Sequence, residues 1–211
     1  MIEGYAESQK VILGLNNTYN IYLKSGNKKI KLLVTNTYIG QFHLTQAFLK
    51  PETKLEVGIE YTIYIDSLPD FEIFQKYNKN LEKNEVAKYK VIDKNDLDIP
   101  IISKKSKLLR KEYFELGCGP VILAIFNYPV KDSSEILARA TVKNLKTGIE
   151  TTYFLKPKEG EINVGHGMCS GAFKFENGNK FEVEFTFMDA SGNLTSSVKR
   201  IKFSKPRKKI F

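Results

Sequence analysis

Apolar and polar residues alternate with a period of two along most of this chain, and few stretches show helical spacing. "YNIYLK" and "KIKLLV" flank Ser25, Gly26 and Asn27. Gly and Asn tolerate positive φ there, so the pair reads as a β-hairpin. "QKVIL", "IGQFHL", "EYTIYID" and "AKYKVI" read as further strands of a first sandwich. Between the last two lies an insertion over 67–86, too long for a tight turn, with Pro69 opening a candidate short helix.

The segment "NDLDIPIISKKSKLLRKEY" runs from an Asp-rich start through Pro100 into a basic cluster, the composition of a linker between β-domains. It sets the expected boundary near Ser103, giving domains over 1–103 and 104–211. Beyond it "PVILAIFNYP", "EILARATVKN", "IETTYFL", "GAFKF", "KFEVEFTFM" and "SVKRIKF" read as strands, with a turn at Asn144–Gly148. No amphipathic crossover helices are available for a parallel sheet, so the fold class expected is all-β, two tandem sandwiches.

The stretch from Lys180 to Phe203 is the most regular. Phe181, Val183, Phe185 and Phe187 share one face, while Glu182, Glu184 and Thr186 share the other. In "DASGN" Asp189 can accept from turn amides and Gly192 and Asn193 can take left-handed conformations; "SVKRIKF" then returns with Ile201 and Phe203 inward. This hairpin resembles the last one of immunoglobulin-like and fibronectin type III-like modules of bacterial exported and surface proteins. In the first half "PETKLEVGIEYTIYI" is similar to the corner of such modules. Leu55, Gly58 and Tyr61 match its spacing, and the resemblance implies that the Tyr61 hydroxyl bonds the preceding turn. In the second half Phe181 stands where that Tyr would be, which leaves packing alone. The resemblance implies two tandem immunoglobulin-like β-sandwiches in a periplasmic or cell-surface protein. It also implies a non-enzymatic binding or structural role, with a protein or polysaccharide as ligand.

Composition narrows the picture. At 211 residues and 42% hydrophobic, the chain can bury one large core or two smaller ones. No apolar run reaches the length of a membrane-spanning helix, and "MIEGYAESQK" lacks a signal pattern, although a trimmed leader would leave the same start. The net charge of +9 is uneven: residues 1–104 hold 14 basic and 13 acidic side chains, and residues 105–211 hold 19 and 11. Seven of those 19 lie in Lys199–Lys209, a stretch without an acid, so the excess reads largely as a tail. Such a tail is a solvated terminus, or else it offers Lys205, Arg207, Lys208 and Lys209 to an anionic lipid or polysaccharide. A charge gathered at one end argues against nucleic acid as the partner.

Candidate chemistry is sparse. Cys118 and Cys169 fall in one domain, and a disulfide between them would close a long loop worth about 4 kcal/mol; two unpaired thiols are the alternative. A Cys169 nucleophile with His166 as base has no orienting acid nearby, and "GMCSG" does not match a nucleophile elbow. His166 and Met168 are the candidate soft ligands of a rival reading, a periplasmic metal-handling protein akin to copper carriers, whereas His43 reads as a strand residue. An enzyme with a site between the domains is a third reading. Asp189 and Asn193 serve a turn without needing calcium, and no phosphate loop, dinucleotide fingerprint or zinc spacing occurs. No catalytic residue, metal or cofactor is expected.

Overall fold

The computed structural model describes residues 1–69, 76–78 and 82–208. The protein is all-β, with several sheets and, among the described residues, one short α-helix preceded by a 3-10 turn. It divides into two compact units, one of residues 1–37 and 47–95, the other of 38–46 and 96–211.

The first unit is built on β1 (Ile2–Tyr5), β2 (Ile21–Ser25), β3 (Lys28–Ile39) and β4 (Leu44–Pro51) apart from their ends within 38–46, which belong to the second unit, β5 (Glu60–Ile65), β6 (Lys76–Asn78), β7 (Lys83–Glu85) and β8 (Lys88–Lys90). Six of these form one sheet in the order β1-β4-β3-β2-β5-β8. The β2–β3 hairpin closes at Ser25 and Lys28, with Gly26 at φ 55°, as the pattern predicts. Period-2 alternation buries Ile21 and Leu23 on β2 and Ile30 and Leu32 on β3.

"QKVIL" is a helix, α1 (Gln9–Leu13), not a strand. Val11 and Ile12 are both buried while Leu13 is exposed, a pattern a helix gives and an alternating strand, with Val11 and Leu13 on one face, would not; Leu15, just past the helix end, is buried as well. Val11, Ile12 and Leu15 join the core of this sheet. Tyr61 is fully buried in the same core, but its hydroxyl has no hydrogen-bond partner among the described residues. The corner bond expected of it is therefore not made. In the insertion, β6 and β7 pair as a small hairpin, and the helix expected after Pro69 falls on residues outside those described.

The second unit holds β9 (Ile101–Ile102), β10 (Leu108–Leu116), β11 (Gly119–Asn127), β12 (Val130–Lys131), β13 (Leu137–Asn144), β14 (Glu150–Leu155), β15 (Glu161–His166), β16 (Lys180–Met188) and β17 (Ile201–Ser204). Two antiparallel sheets, β10-β11-β15 and β14-β13-β16-β17, contribute to one core. Phe181, Val183, Phe185 and Phe187 are all completely buried. Their neighbours on β13 are small: Ala138 lies opposite Phe187, Ala140 opposite Phe185 and Val142 opposite Val183. The large rings thus find room, and Phe126 of the other sheet meets Phe185 edge-on at 5.3 Å between centroids.

β14 is a sheet edge with unpaired backbone groups, and the side chain of Gln46 covers it. Its amide donates to Phe154 O and accepts from Phe154 N, both at 2.8 Å, imitating a neighbouring strand. At Gly165 a Cβ would stand 2.0 Å from Ile122 O, so only glycine permits the β11–β15 approach there.

Three further expectations are corrected. "LLRKEY", read as part of the linker, belongs to strand β10, while Ile101 and Ile102 pair with Lys131 and Val130. "GAFKF" contains no strand. "IGQFHL" is the tip of the β3–β4 hairpin, with His43 exposed at φ 56° instead of lying in an alternating strand.

Candidate anion-binding face

In the second unit, Asn127 at the end of β11 fixes the segment leading into β10. Its side chain accepts from Lys107 N at 2.6 Å and donates to Lys105 O at 3.2 Å, and its own N–H donates to Lys107 O. Ser103 adds two bonds to Pro129 O. With the backbone held on its inner side, Lys104, Lys105 and Lys107 are exposed while Ser106 is buried.

Two clefts flank this segment. One of about 520 Å³ is lined by Lys104, Lys105, Lys107 and Asn127 and also by two carboxylates, Glu159 and Glu161. The other, of about 320 Å³, lies between Lys105–Leu108 and Lys199–Lys202 and has no carboxylate in its lining. Arg200 is already engaged by Glu182 at 2.8 Å and Glu184 at 3.0 Å. By contrast Lys104, Lys105, Lys107, Lys199 and Lys202 have no ion-pair partner among the described residues. Arg110 likewise spends its charge on Glu161, at 2.8 Å, and on Glu112. Five cations without ion pairs, gathered from two distant stretches, bias the local potential towards positive, an effect felt by anions over about a Debye length.

Ser106 lines the second cleft, is only 4% exposed, and its hydroxyl has no hydrogen-bond partner among the described residues. No aromatic side chain lines either cleft.

The basic run that reads as a tail is thus divided among several tasks. Lys199 and Lys202 line a cleft. Lys205 donates to Phe175 O at 2.6 Å and Pro206 is buried, so the chain is docked through that point. Arg207 is exposed, Lys208 pairs with Glu115 at 3.7 Å, and Lys209 lies outside the described residues. The sequence reading missed Lys104, Lys105 and Lys107 as site residues, although it noted their cluster; its only available signal was three lysines within four positions.

The other candidates lie elsewhere in the unit. Cys118 and Cys169 are free and exposed, so the expected disulfide is not formed. Cys118 sits in the tight turn between β10 and β11, where its N–H donates to Met168 Sδ at 3.4 Å; this places the thioether against the turn. His166 is buried. Its Nδ1 lies 2.8 Å from Gly167 O, and Phe42 meets its ring edge-on. Burial lowers its pKa, opposed by the bond to Gly167 O; Lys174 and Lys205 push it down further and Glu176 pushes it up. Asp189 accepts from the N–H groups of Ser191 and Asn193 and from the Asn193 amide, the role its turn requires. Among the described residues, no group of three or more His, Cys, Asp or Glu side chains is placed to hold a metal ion. None of the helices described is long and apolar enough to cross a membrane.

No protein-family model matches the chain, and no curated protein matches it either.

Proposed function

We propose that this is a non-enzymatic, extracytoplasmic binding protein whose second unit is an immunoglobulin-like β-sandwich that holds an anionic polysaccharide. The observation that carries the reading is the pair of clefts in which five lysines make no ion pair among the described residues, the smaller cleft having no carboxylate in its lining. A polymer with regularly spaced anions binds such a surface by displacing its counterions. The absence of any aromatic in the clefts favours polysaccharide over single-stranded nucleic acid, whose bases need a stacking platform. The first unit, one sheet with α1 on its core, is assigned as a β-rich companion module.

Isothermal titration with dextran sulfate, neutral dextran and a single-stranded oligonucleotide at low and moderate salt tests this reading. Dextran sulfate is expected to bind with a steep salt dependence, neutral dextran not at all, and the oligonucleotide more weakly. Lys105→Glu with Lys199→Glu is expected to abolish the binding. Equal binding by the double variant would remove the clefts from the function.

Soft-metal carriage is the second reading, because Met168 Sδ lies against the turn that bears Cys118, and Cys169 follows Met168 directly. Elemental analysis of protein purified without chelator separates the two: stoichiometric copper would favour the metal, and metal-free protein that binds dextran sulfate would favour the polysaccharide.

A further inference from the structure

We infer that Asn177 is a spontaneous modification site, at which the Gly178 nitrogen closes a succinimide ring on the asparagine side chain and water reopens it to isoaspartate or aspartate. The stretch "FKFENGNKFEV" holds the one Asn–Gly pair of the sequence, and the fold explains why both residues stand there. Asn177 has φ 53°, a left-handed conformation that asparagine adopts more readily than most residues with a side chain. Gly178 is packed on the turn residue Asn144, where a Cβ would stand 2.6 Å from Asn144 Oδ1. That side chain is held in place. It is 7% exposed, donates to Glu176 O at 2.9 Å, and accepts from Lys146 N at 2.9 Å and Thr147 N at 3.3 Å.

The same two residues set up the reaction. With no Cβ beside it, the Gly178 nitrogen approaches the Asn177 side chain with little steric hindrance. Asn177 is exposed, and neither its side-chain amide nor the Gly178 N–H has a hydrogen-bond partner among the described residues. The Gly178 nitrogen attacks Cγ and a C–N bond forms; the bond from Cγ to the amide nitrogen breaks, and ammonia leaves with the Gly178 proton. One water then opens the ring. Attack at Cγ gives aspartate, and attack at the main-chain carbonyl gives isoaspartate, with the chain rerouted through the side chain. Other asparagines lack one or other condition. Asn16 is tied to Leu32 O and Val34 N, and Asn193 to Asp96 O and Asp189. Asn27 and Asn36 are exposed, but Lys28 and Thr37 follow them, and their side chains crowd the attacking nitrogen.

Incubation of the intact protein in warm, mildly alkaline buffer, with a parallel sample in urea and peptide mapping of both by mass spectrometry, tests the assignment. Asn177 is expected to convert before any other asparagine, at a rate in the folded protein close to that in urea and rising with hydroxide. The product is expected to contain isoaspartate beside aspartate, detected by labelling with an isoaspartyl methyltransferase. Asn177→Gln, whose longer side chain would have to close a larger ring, is expected to lose that label, with thermal melting as the check that it folds. Protection of Asn177 in the folded protein while it converts in urea, a product of aspartate alone, or earlier conversion at Asn27 or Asn36 would overturn the inference.

Discussion

The inner face of β16 and the lysine clefts belong to the same unit, yet they are put together in opposite ways. On β16, residues two apart in sequence form one apolar surface, and their partners on β13 are small where they are large. In the smaller cleft, Lys105 and Lys107 meet Lys199 and Lys202 from the far end of the chain, and four like charges are gathered without an ion pair among the described residues. The first arrangement lowers the energy of the folded chain. The second raises it slightly, which is the pattern expected of a surface held for a ligand.

The largest effect expected is on the apolar side. Phe185→Ala is expected to cost about 3–5 kcal/mol in denaturant melts, because a completely buried ring is removed from beside Ala140 and Phe126. Lys105→Ala is expected to stay within about 0.5 kcal/mol of the parent or to stabilise it. A lysine variant that unfolds the protein while Phe185→Ala is tolerated would break the comparison.

Asn127→Ala lies between the two surfaces. Its buried amide makes two bonds to the backbone of the lysine segment, so about 1–3 kcal/mol of stability should go with it. Dextran sulfate affinity should fall as well, since Lys105 and Lys107 lose their fixed backbone. A loss of stability with affinity intact would mean that the segment needs no such anchor.

Tyr61→Phe is expected to be neutral or to stabilise by up to about 1 kcal/mol, because the hydroxyl it removes is buried without a partner. A marked loss in denaturant melts would show that the hydroxyl does make a bond.

The smallest effect concerns His166. Burial holds its folded pKa below the ordinary 6.5, so the unfolded chain takes up the proton first as pH falls. The stability from this neutral imidazole is fully present above pH 6.5 and is lost as pH falls through that value towards the lower folded one. The stability difference between the parent and His166→Gln should therefore shrink between pH 7.5 and 5. A constant difference would contradict the burial-driven shift.

What the sequence disclosed follows the same division. Alternation of Phe and Val on β16, of Ile and Leu on β2 and β3, and the Asp189 turn could all be read because their determinants are local. β10 could not be read, because an edge strand is wet along much of its length. Arg110, Lys111 and Glu112 on it look like linker residues. "QKVIL" misled because three adjacent apolar residues fit a short buried strand as well as a helix, and only the exposure of Leu13 beside buried Val11 and Ile12 decides. The clefts were least legible. Their lysines are brought together by Asn127 and by the approach of β17 towards β10, seen where Lys111 Nζ donates to Ser204 Oγ at 2.7 Å, and no spacing in the chain encodes that meeting.

Lysine footprinting by mass spectrometry, with the intact protein labelled in the presence and absence of dextran sulfate, addresses the central claim most directly. Lys104, Lys105, Lys107, Lys199 and Lys202 are expected to be protected together, while Lys24, Lys29 and Lys146 keep their reactivity. Protection confined to Lys208 and Lys209, or spread evenly over all lysines, would show that the polymer is not held in the clefts and would contradict the account.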